Sequence, residues 1–271
     1  PGERLVRGEV HPDAIQSRGA SELSPPLEKK APSPMTSRQG LYEDVTGVIL
    51  AGGKSRRMGT DKALLEVDGI PLIERVARVF RRLFSRNILV TNNPSLYPEL
   101  GFPVYRDVHP DRASLVGIYT GLLKAETPHV FCASCDMPFL NESLIRFLAD
   151  LRTEFDLVLP FSDQGREPLH AIYGQACVAH MEKLIEEDRL AIRGIFDQVR
   201  TRRVEPEEAA AFDPKFLSFM NCNTPEDLEA AAALAKEEAS RAVAAESAAA
   251  AAKTAAEKAG AEAMVAAERV A

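Results

Sequence analysis

The feature that most constrains this chain is an alternation. Between residues 45 and 228, short runs rich in β-branched residues take turns with stretches of helical periodicity. The strand-like runs are 45–51, 87–91, 104–105, 130–133, 156–160 and 170–173. The helix-like stretches are 71–84, 115–124, 141–152 and 176–187. In the first helix, Leu72, Val76, Val79, Phe80 and Leu83 fall on one stripe behind Pro71 at the first helical position. Asn141 stands where an N-cap belongs, with Glu142 in the first turn. Strand, helix, strand repetition means βαβ units. The expected fold class is therefore α/β, with a mainly parallel, Rossmann-like sheet covered on both faces. Ligands in such sheets bind beyond the carboxyl ends of the strands, so chemistry is sought in the loops that follow strands.

The loop after the first run reads A-G-G-K-S-R-R-M-G-T-D-K, from Ala51 to Lys62. Its glycines, Gly52, Gly53 and Gly59, let backbone N–H groups come close to a ligand. Its cations, Lys54, Arg56, Arg57 and Lys62, neutralise negative charge. Together they make a phosphate grip. It is not a P-loop, because Gly47 lies six positions before Gly53 where that motif needs five, and 48–50 reads as strand. A G-x-G-x-x-G dinucleotide motif fails as well.

A second loop, C-A-S-C-D-M-P over 132–138, follows another apolar strand and places Asp136 on the same edge. A carboxylate facing phosphates is repulsive unless a divalent cation lies between them. Magnesium, held by one or two carboxylates with phosphate and water oxygens, is the expected ion, and Asp136 its ligand. The adjacent C-x-x-C lacks further zinc ligands, and its thiols read as small buried apolar side chains. Asp107 ends the 104–105 run and reaches the same edge, unless it only caps a turn. His109 reads as a surface residue. Asn92 and Asn93 are placed to hydrogen-bond a base or ribose, or simply to turn the chain. Arg166-Glu167-Pro168-Leu169-His170 precedes a strand and stands where a second substrate pocket would be lined. In Asn221-Cys222-Asn223-Thr224-Pro225, the two asparagines point to one side of an extended segment, and Thr224 opens a helix.

Composition bounds the rest. A formal net charge of −7 over 271 residues argues against a nucleic-acid partner. No run of apolar residues is long enough to span a membrane. Four cysteines in a chain of this length suggest no disulfide framework, which points to the cytoplasm. Residues 1–44 mix Pro, Ser and charged residues without periodicity and read as a disordered leader. Two readings of it stand side by side: a natural flexible tail, or sequence upstream of a translation start at Met35. Residues 45–228 form the expected folded domain. Residues 229–271, about half alanine, read as a long helical tail with a thin apolar stripe.

With these motifs in hand, the chain resembles the molybdenum cofactor guanylyltransferase family, within the wider group of nucleotidyltransferases. The matching pieces run in order: the 50–62 loop, Arg106-Asp107, L-V-G-I-Y-T-G-L over 115–122, C-D-M-P-F-L over 135–140, E-P-L-H-A-I-Y over 167–173, and N-C-N-T-P-E-D-L over 221–228. The resemblance implies a three-layer α/β/α sandwich that transfers GMP from GTP to molybdenum-bound molybdopterin. It implies GTP held by Leu50, Ala51, Gly52, Gly53, Lys62, Asn92 (or Asn93), Asp107 and Asp136, with Mg2+ on Asp136. Lys62, Arg57 and Asp136 would carry catalysis, and Asn221 and Asn223 would serve the molybdopterin side. One departure concerns base choice: the family often has G-P-L where this chain has Ala113-Ser114-Leu115. Two other readings stand beside this one. The first is a cytidylyltransferase or other NTP transferase. The second is a non-catalytic GTP-binding partner of molybdoenzyme maturation proteins, docked through the Ala-rich helix.

Overall fold

The structure is a computed structural model. It describes residues 40–52, 62–97, 100–110 and 113–268, with the backbone alone at residue 62 and at a number of positions beyond 241. Most of the expected leader, residues 1–39, lies outside the described residues. In chain order the elements are β1 (Tyr42–Leu50), β2 (Glu66–Val67), β3 (Ile70–Pro71), α1 (Leu72–Leu83), β4 (Phe84–Val90), β5 (Val104–Tyr105), α2 (Ser114–Lys124), β6 (His129–Ser134), α3 (Glu142–Asp150), β7 (Leu157–Ser162), β8 (Gly165–Arg166), β9 (His170–Gly174), α4 (Cys177–Glu186), β10 (Thr201–Val204), α5 (Pro206–Ala210) and α6 (Pro225–Glu268).

The main sheet runs β10-β7-β9-β6-β1-β4-β5, with β8 paired to β7. Strands β5, β4, β1 and β6 are mutually parallel, and β10 is parallel to β7. Strand β9 runs antiparallel to both β6 and β7. Its direction follows from chain length. A parallel return needs a crossover of a dozen or more residues, and the connection from Ser162 to His170 is shorter than that. Along β1, side chains alternate between the two faces. Ile49 belongs to the core cluster on one face, with Phe80 and Leu83 of α1, Leu144 of α3 and Ala209 of α5. Val48 and Leu50 belong to the cluster on the other, with Ile118 and Leu122 of α2 and Met181 and Leu184 of α4. The result is the expected three-layer α/β/α sandwich. Each fully buried Leu, Ile or Phe in these layers contributes roughly 1.5–3 kcal/mol relative to an exposed one.

Two glycines set the layer spacing. A Cβ on Gly47 would stand 2.3 Å from Asn87 Oδ1 and 2.5 Å from Phe80 Cδ1. A Cβ on Gly121 would stand 2.8 Å from Val48 Cγ1. Each lets a helix lie close against β1.

One boundary differs from that read in the sequence, and one is as read. Strand β1 starts at Tyr42, not residue 45, because its first residues are anchored to the end of α3. The Tyr42 hydroxyl donates to Asp150 Oδ1 at 2.8 Å, and Arg152 grips both oxygens of Asp44 at 2.9–3.0 Å. Helix α6 starts at Pro225, as Thr224 led one to expect, on a reciprocal cap. Asp227 Oδ2 accepts from the Thr224 amide at 2.8 Å, and the Asp227 amide donates to Thr224 Oγ1 at 3.2 Å. Its first turns are no solvated appendage. Ala231 and Ala235 are buried in a cluster with Val67, Leu72, Phe139 and Cys222. The small hairpin β2–β3 was not read from the sequence, although Asp68-Gly69, both at positive φ, is a strong hairpin signal.

Two outcomes follow from this packing. Gly47→Ala should destabilise the fold by about 1–3 kcal/mol or more, read as a lower midpoint in chemical denaturation; an unchanged midpoint would contradict the close approach. The second concerns His170, fully buried between Phe131 and Phe219 at ring distances of 5.1 and 5.0 Å, with no hydrogen bond to either nitrogen from a described residue. Burial pushes its pKa down to about 3. The unfolded chain takes up this proton near pH 6.5, so His170 favours the folded state above that pH and its contribution is lost on acidification. Between pH 6.5 and 4.5, stability should fall by up to about 1.4 kcal/mol per pH unit from this group. His170→Leu should flatten that slope, and equal slopes in both proteins would contradict the assignment.

Candidate active site at the carboxyl edge of the sheet

The sheet changes direction of growth at β1: β4 follows on one side and β6 on the other. That is where a crevice opens in this kind of sheet. Three backbone hydrogen bonds tie the edge together. The Ala51 amide donates to the Val90 carbonyl at 2.9 Å, holding the start of the glycine loop against β4. The Cys135 amide donates to the Leu50 carbonyl at 3.0 Å, holding the 135–138 turn against the end of β1. The Cys222 amide donates to the Asp136 carbonyl at 2.9 Å, drawing in a segment more than eighty residues further along the chain. Residues 50, 136 and 221–223 are thereby neighbours.

The expected site residues take these places. Leu50 and Ala51 are buried at the end of β1. Gly52 is exposed, its φ is not left-handed, and a Cβ there would meet no described atom within 4 Å. Among the described residues nothing packs against this position. Gly53 and Arg57, with Lys54, Arg56 and Gly59, lie outside the described residues. Lys62 opens a short 3-10 turn, Lys62–Leu64, and its side chain lies outside the described residues. Asn92 follows β4, half-buried, and its Oδ1 is buried without a hydrogen bond from a described residue. Asn93 caps the turn Pro94–Leu96, its amide donating to Thr91 Oγ1 at 3.1 Å. Asp107 is half-buried, and its Oδ1 lies 3.7 Å from the point a Cβ on Gly117 would occupy. The glycine of α2 thus makes room beside both Asp107 and Leu50. His109 is exposed.

Asp136 is half-buried, and its Oδ1 is shielded from water with no hydrogen bond from a described residue. A buried carboxylate oxygen left this way is costly unless a cation or donor meets it. Among the described residues no group of three or more His, Cys, Asp or Glu gathers as a metal cage. A site completed by phosphate and water oxygens needs only one or two carboxylates. Asn221 is half-buried, its Nδ2 donating to the Phe219 carbonyl at 3.1 Å, and Asn223 is exposed beside it. Both line a pocket of about 450 Å³ that also involves Ser162 and Glu167.

The four thiols, Cys132, Cys135, Cys177 and Cys222, are all reduced and buried. Burial pushes Cys132 well above the ordinary thiol range and Cys177 up to about 12, so neither is a thiolate at neutral pH. Ala113, where the family resemblance implies a glycine, has φ −81° and ψ 170°. Alanine adopts that conformation without strain, so the departure leaves the entry into α2 intact. The sequence reading placed Glu167 near a second pocket but did not find its partner, because Ser162 belongs to the other arm of an antiparallel turn. No described helix is long and apolar enough to cross a membrane.

The comparisons with known proteins converge. The family model described as MobA-like NTP transferase domain matches residues 47–204. Molybdenum cofactor guanylyltransferase of Desulfosudis oleivorans is 36% identical over 194 residues, covering 71% of this chain and 96% of that protein. Probable molybdenum cofactor guanylyltransferase of Natranaerobius thermophilus is 35% identical over 197 residues, covering 70% and 96%. Among solved structures, molybdopterin-guanine dinucleotide biosynthesis protein A from Archaeoglobus fulgidus superimposes with a TM-score of 0.62 at 25% identity, over 71% of this chain and 99% of that one. With the motif order, the sheet and these matches in agreement, the chain belongs to the family of MobA-like NTP transferases.

Proposed function

We propose that this chain transfers GMP from GTP to the terminal phosphate of molybdenum-bound molybdopterin and releases pyrophosphate. The observation that carries the reading is the pair of backbone bonds, Cys135 to Leu50 and Cys222 to Asp136. They make the end of β1, a shielded carboxylate and the Asn221–Asn223 segment neighbours at the carboxyl edge of the sheet, which supports a shared site. The names of the relatives, guanylyltransferases covered over nearly their whole length, supply the base and the acceptor.

An oxygen of the acceptor phosphate forms a bond to the α-phosphorus of GTP as the bond from that phosphorus to the β-bridging oxygen breaks. The electron pair leaves with pyrophosphate. The nucleophile is already an anion and needs little help from a base, so the barrier is repulsion and alignment. The shielded Oδ1 of Asp136 fits a magnesium ligand, and magnesium held there with phosphate and water oxygens would neutralise charge at the α-phosphate. Gly52 and Gly53 bring backbone N–H groups to the departing pyrophosphate, and Arg57 binds it. Lys62 meets the charge that grows at the α-phosphate. Asn92 and Asp107, beyond β4 and β5, hold the nucleoside. Asn221 and Asn223 hold the acceptor on the other side. The reading places the protein with the cytoplasmic steps of cofactor assembly, where molybdoenzyme maturation proteins would take up the product.

Asp136→Asn and Lys62→Ala should each lower turnover by about a hundredfold or more, the scale for loss of one preorganised electrostatic group, with circular dichroism unchanged. Pyrophosphate release with magnesium, GTP and molybdenum-loaded molybdopterin checks this, and either variant retaining near-full turnover would sink the assignment. In the same assay GTP should support release and CTP should not; the reverse preference would make the chain a cytidylyltransferase.

A further inference from the structure

The pocket beside Asn221 has a chemical character of its own. One wall is aromatic. Phe216 and Phe219 lie nearly parallel, with ring centroids 6.1 Å apart and planes at 26°. Phe216 sits at φ +52°, ψ +31°, a left-handed conformation that is unusual for a bulky residue. Buried Asp213 sustains it: its two carboxylate oxygens accept the Leu217 and Ser218 amides at 3.1 and 2.7 Å, and its carbonyl accepts the Phe216 amide at 3.0 Å. The fold spends backbone strain to keep a half-buried aromatic ring at this wall.

Glu167 lines the same pocket. Its Oε1 accepts the Ser162 hydroxyl at 2.6 Å, and Ser162 Oγ is itself fixed by accepting the Gln164 amide at 3.1 Å. The Glu167 amide donates to the Pro160 carbonyl at 3.0 Å, so the residue is anchored at both ends. Its second oxygen, Oε2, accepts no hydrogen bond from a described residue. Burial pushes the carboxyl above its ordinary range, the Ser162 bond pulls it part of the way back, and nearby Asp163 raises it. A half-desolvated carboxylate with one oxygen satisfied is completed by a ligand that offers adjacent N–H donors.

We propose that Glu167, pinned by Ser162, reads the 2-amino-4-oxopyrimidine edge of the acceptor's pterin, with the flat ring packed against Phe216. The proposal rests on the reading above that the acceptor carries a pterin. That edge presents the 2-amino group and the adjacent ring N–H, two donors side by side that suit a carboxylate. The flat heterocycle suits an aromatic wall. Charge fixes the orientation. Asp163, Glu167 and Asp227 line the pocket against Lys215, the single cation among its described lining residues, so a phosphate is repelled and the ring enters. The phosphate end is left pointing toward Asp136, whose carbonyl is bonded to the segment between Asn221 and Asn223.

Guanine carries the same donor edge, so GTP is the competing source. The sheet argues for the pterin. Ser162 ends β7, and Asn92 follows β4, four strand positions away in the order β7-β9-β6-β1-β4. That is roughly 19 Å at the spacing of neighbouring strands. A nucleoside held beyond β4 and β5 cannot also reach Glu167.

The test titrates the full chain with 6-hydroxymethylpterin phosphate, followed by its fluorescence. The control ligand is the lumazine counterpart, which replaces the 2-amino group by an oxygen. The wild-type protein should prefer the pterin by about tenfold or more, because the lumazine keeps the ring N–H but loses one charge-assisted hydrogen bond and turns a carbonyl oxygen toward the carboxylate. Glu167→Gln keeps the shape but turns a donor toward the ligand, and should bring the preference to within about threefold. Ser162→Ala, which releases the carboxylate, should reduce the preference part of the way. GTP binding should be unchanged in both variants. Retained pterin preference in Glu167→Gln would overturn the proposal, as would a wild-type protein without preference. Loss of GTP affinity with pterin binding intact would overturn it too, by assigning Glu167 to guanine. Turnover of the wild-type protein is measured separately. If GMP transfer fails while the pterin preference stands, it is the reading of the reaction that falls, not the assignment of Glu167.

Discussion

The site depends on two backbone hydrogen bonds that cross the opening of the sheet, from the Cys135 amide to the Leu50 carbonyl and from the Cys222 amide to the Asp136 carbonyl. Each contributes only about 0.5–1.5 kcal/mol to stability. Their importance is positional. Neither side chain at the bonded positions matters to the pairing, so the sequence is free to place functional groups beside them. In the proposed reading, the residues on either side of Cys135 and Cys222 carry the chemistry: Asp136 after one, Asn221 and Asn223 around the other. The thiols at these junctions are buried in the core.

These bonds are held in place by a tightly layered core. Helix α2 lies close to β1 because Gly117 and Gly121 sit one turn apart on its inner face, and Gly47 does the same for the opposite layer. The helix that follows the 221–224 segment contributes as well. Its first turns bury Ala231 and Ala235 against Val67, Leu72 and Phe139, so the approach of Cys222 to Asp136 is backed by packing rather than left to one hydrogen bond. Alanine suits that contact, being both the strongest helix former and small enough for close approach.

Much of this was legible in the sequence, for physical reasons that can be named. The alternation of strand and helix patterns carried the three-layer fold, because periodicity reports directly on which faces are buried. Asp136 stood out because it follows a buried strand that ends on the same edge as a cationic glycine loop. What the sequence hid were pairings between distant segments. Nothing in residues 170–174 marks β9 as antiparallel; only the short connection from Ser162 does so. The partnership of Ser162 with Glu167 arises from that same turn. Tyr42 and Asp44 looked like leader until Asp150 and Arg152 gave them partners. The alanine-rich helix looked like an appendage because its buried stripe is made of alanines, the residues that give the weakest periodic signal.

The central claim is that one crevice holds a nucleotide on the β4 side and a phosphate acceptor on the β7 side, with Asp136 between them. Transfer of a radiolabel tests it most directly. With GTP labelled at the α-phosphate, magnesium and molybdenum-loaded molybdopterin, the label should move onto the acceptor as a guanine dinucleotide, while the β- and γ-phosphates appear as pyrophosphate. Label that stays in GTP, or is released as free GMP with no labelled acceptor, would contradict the account.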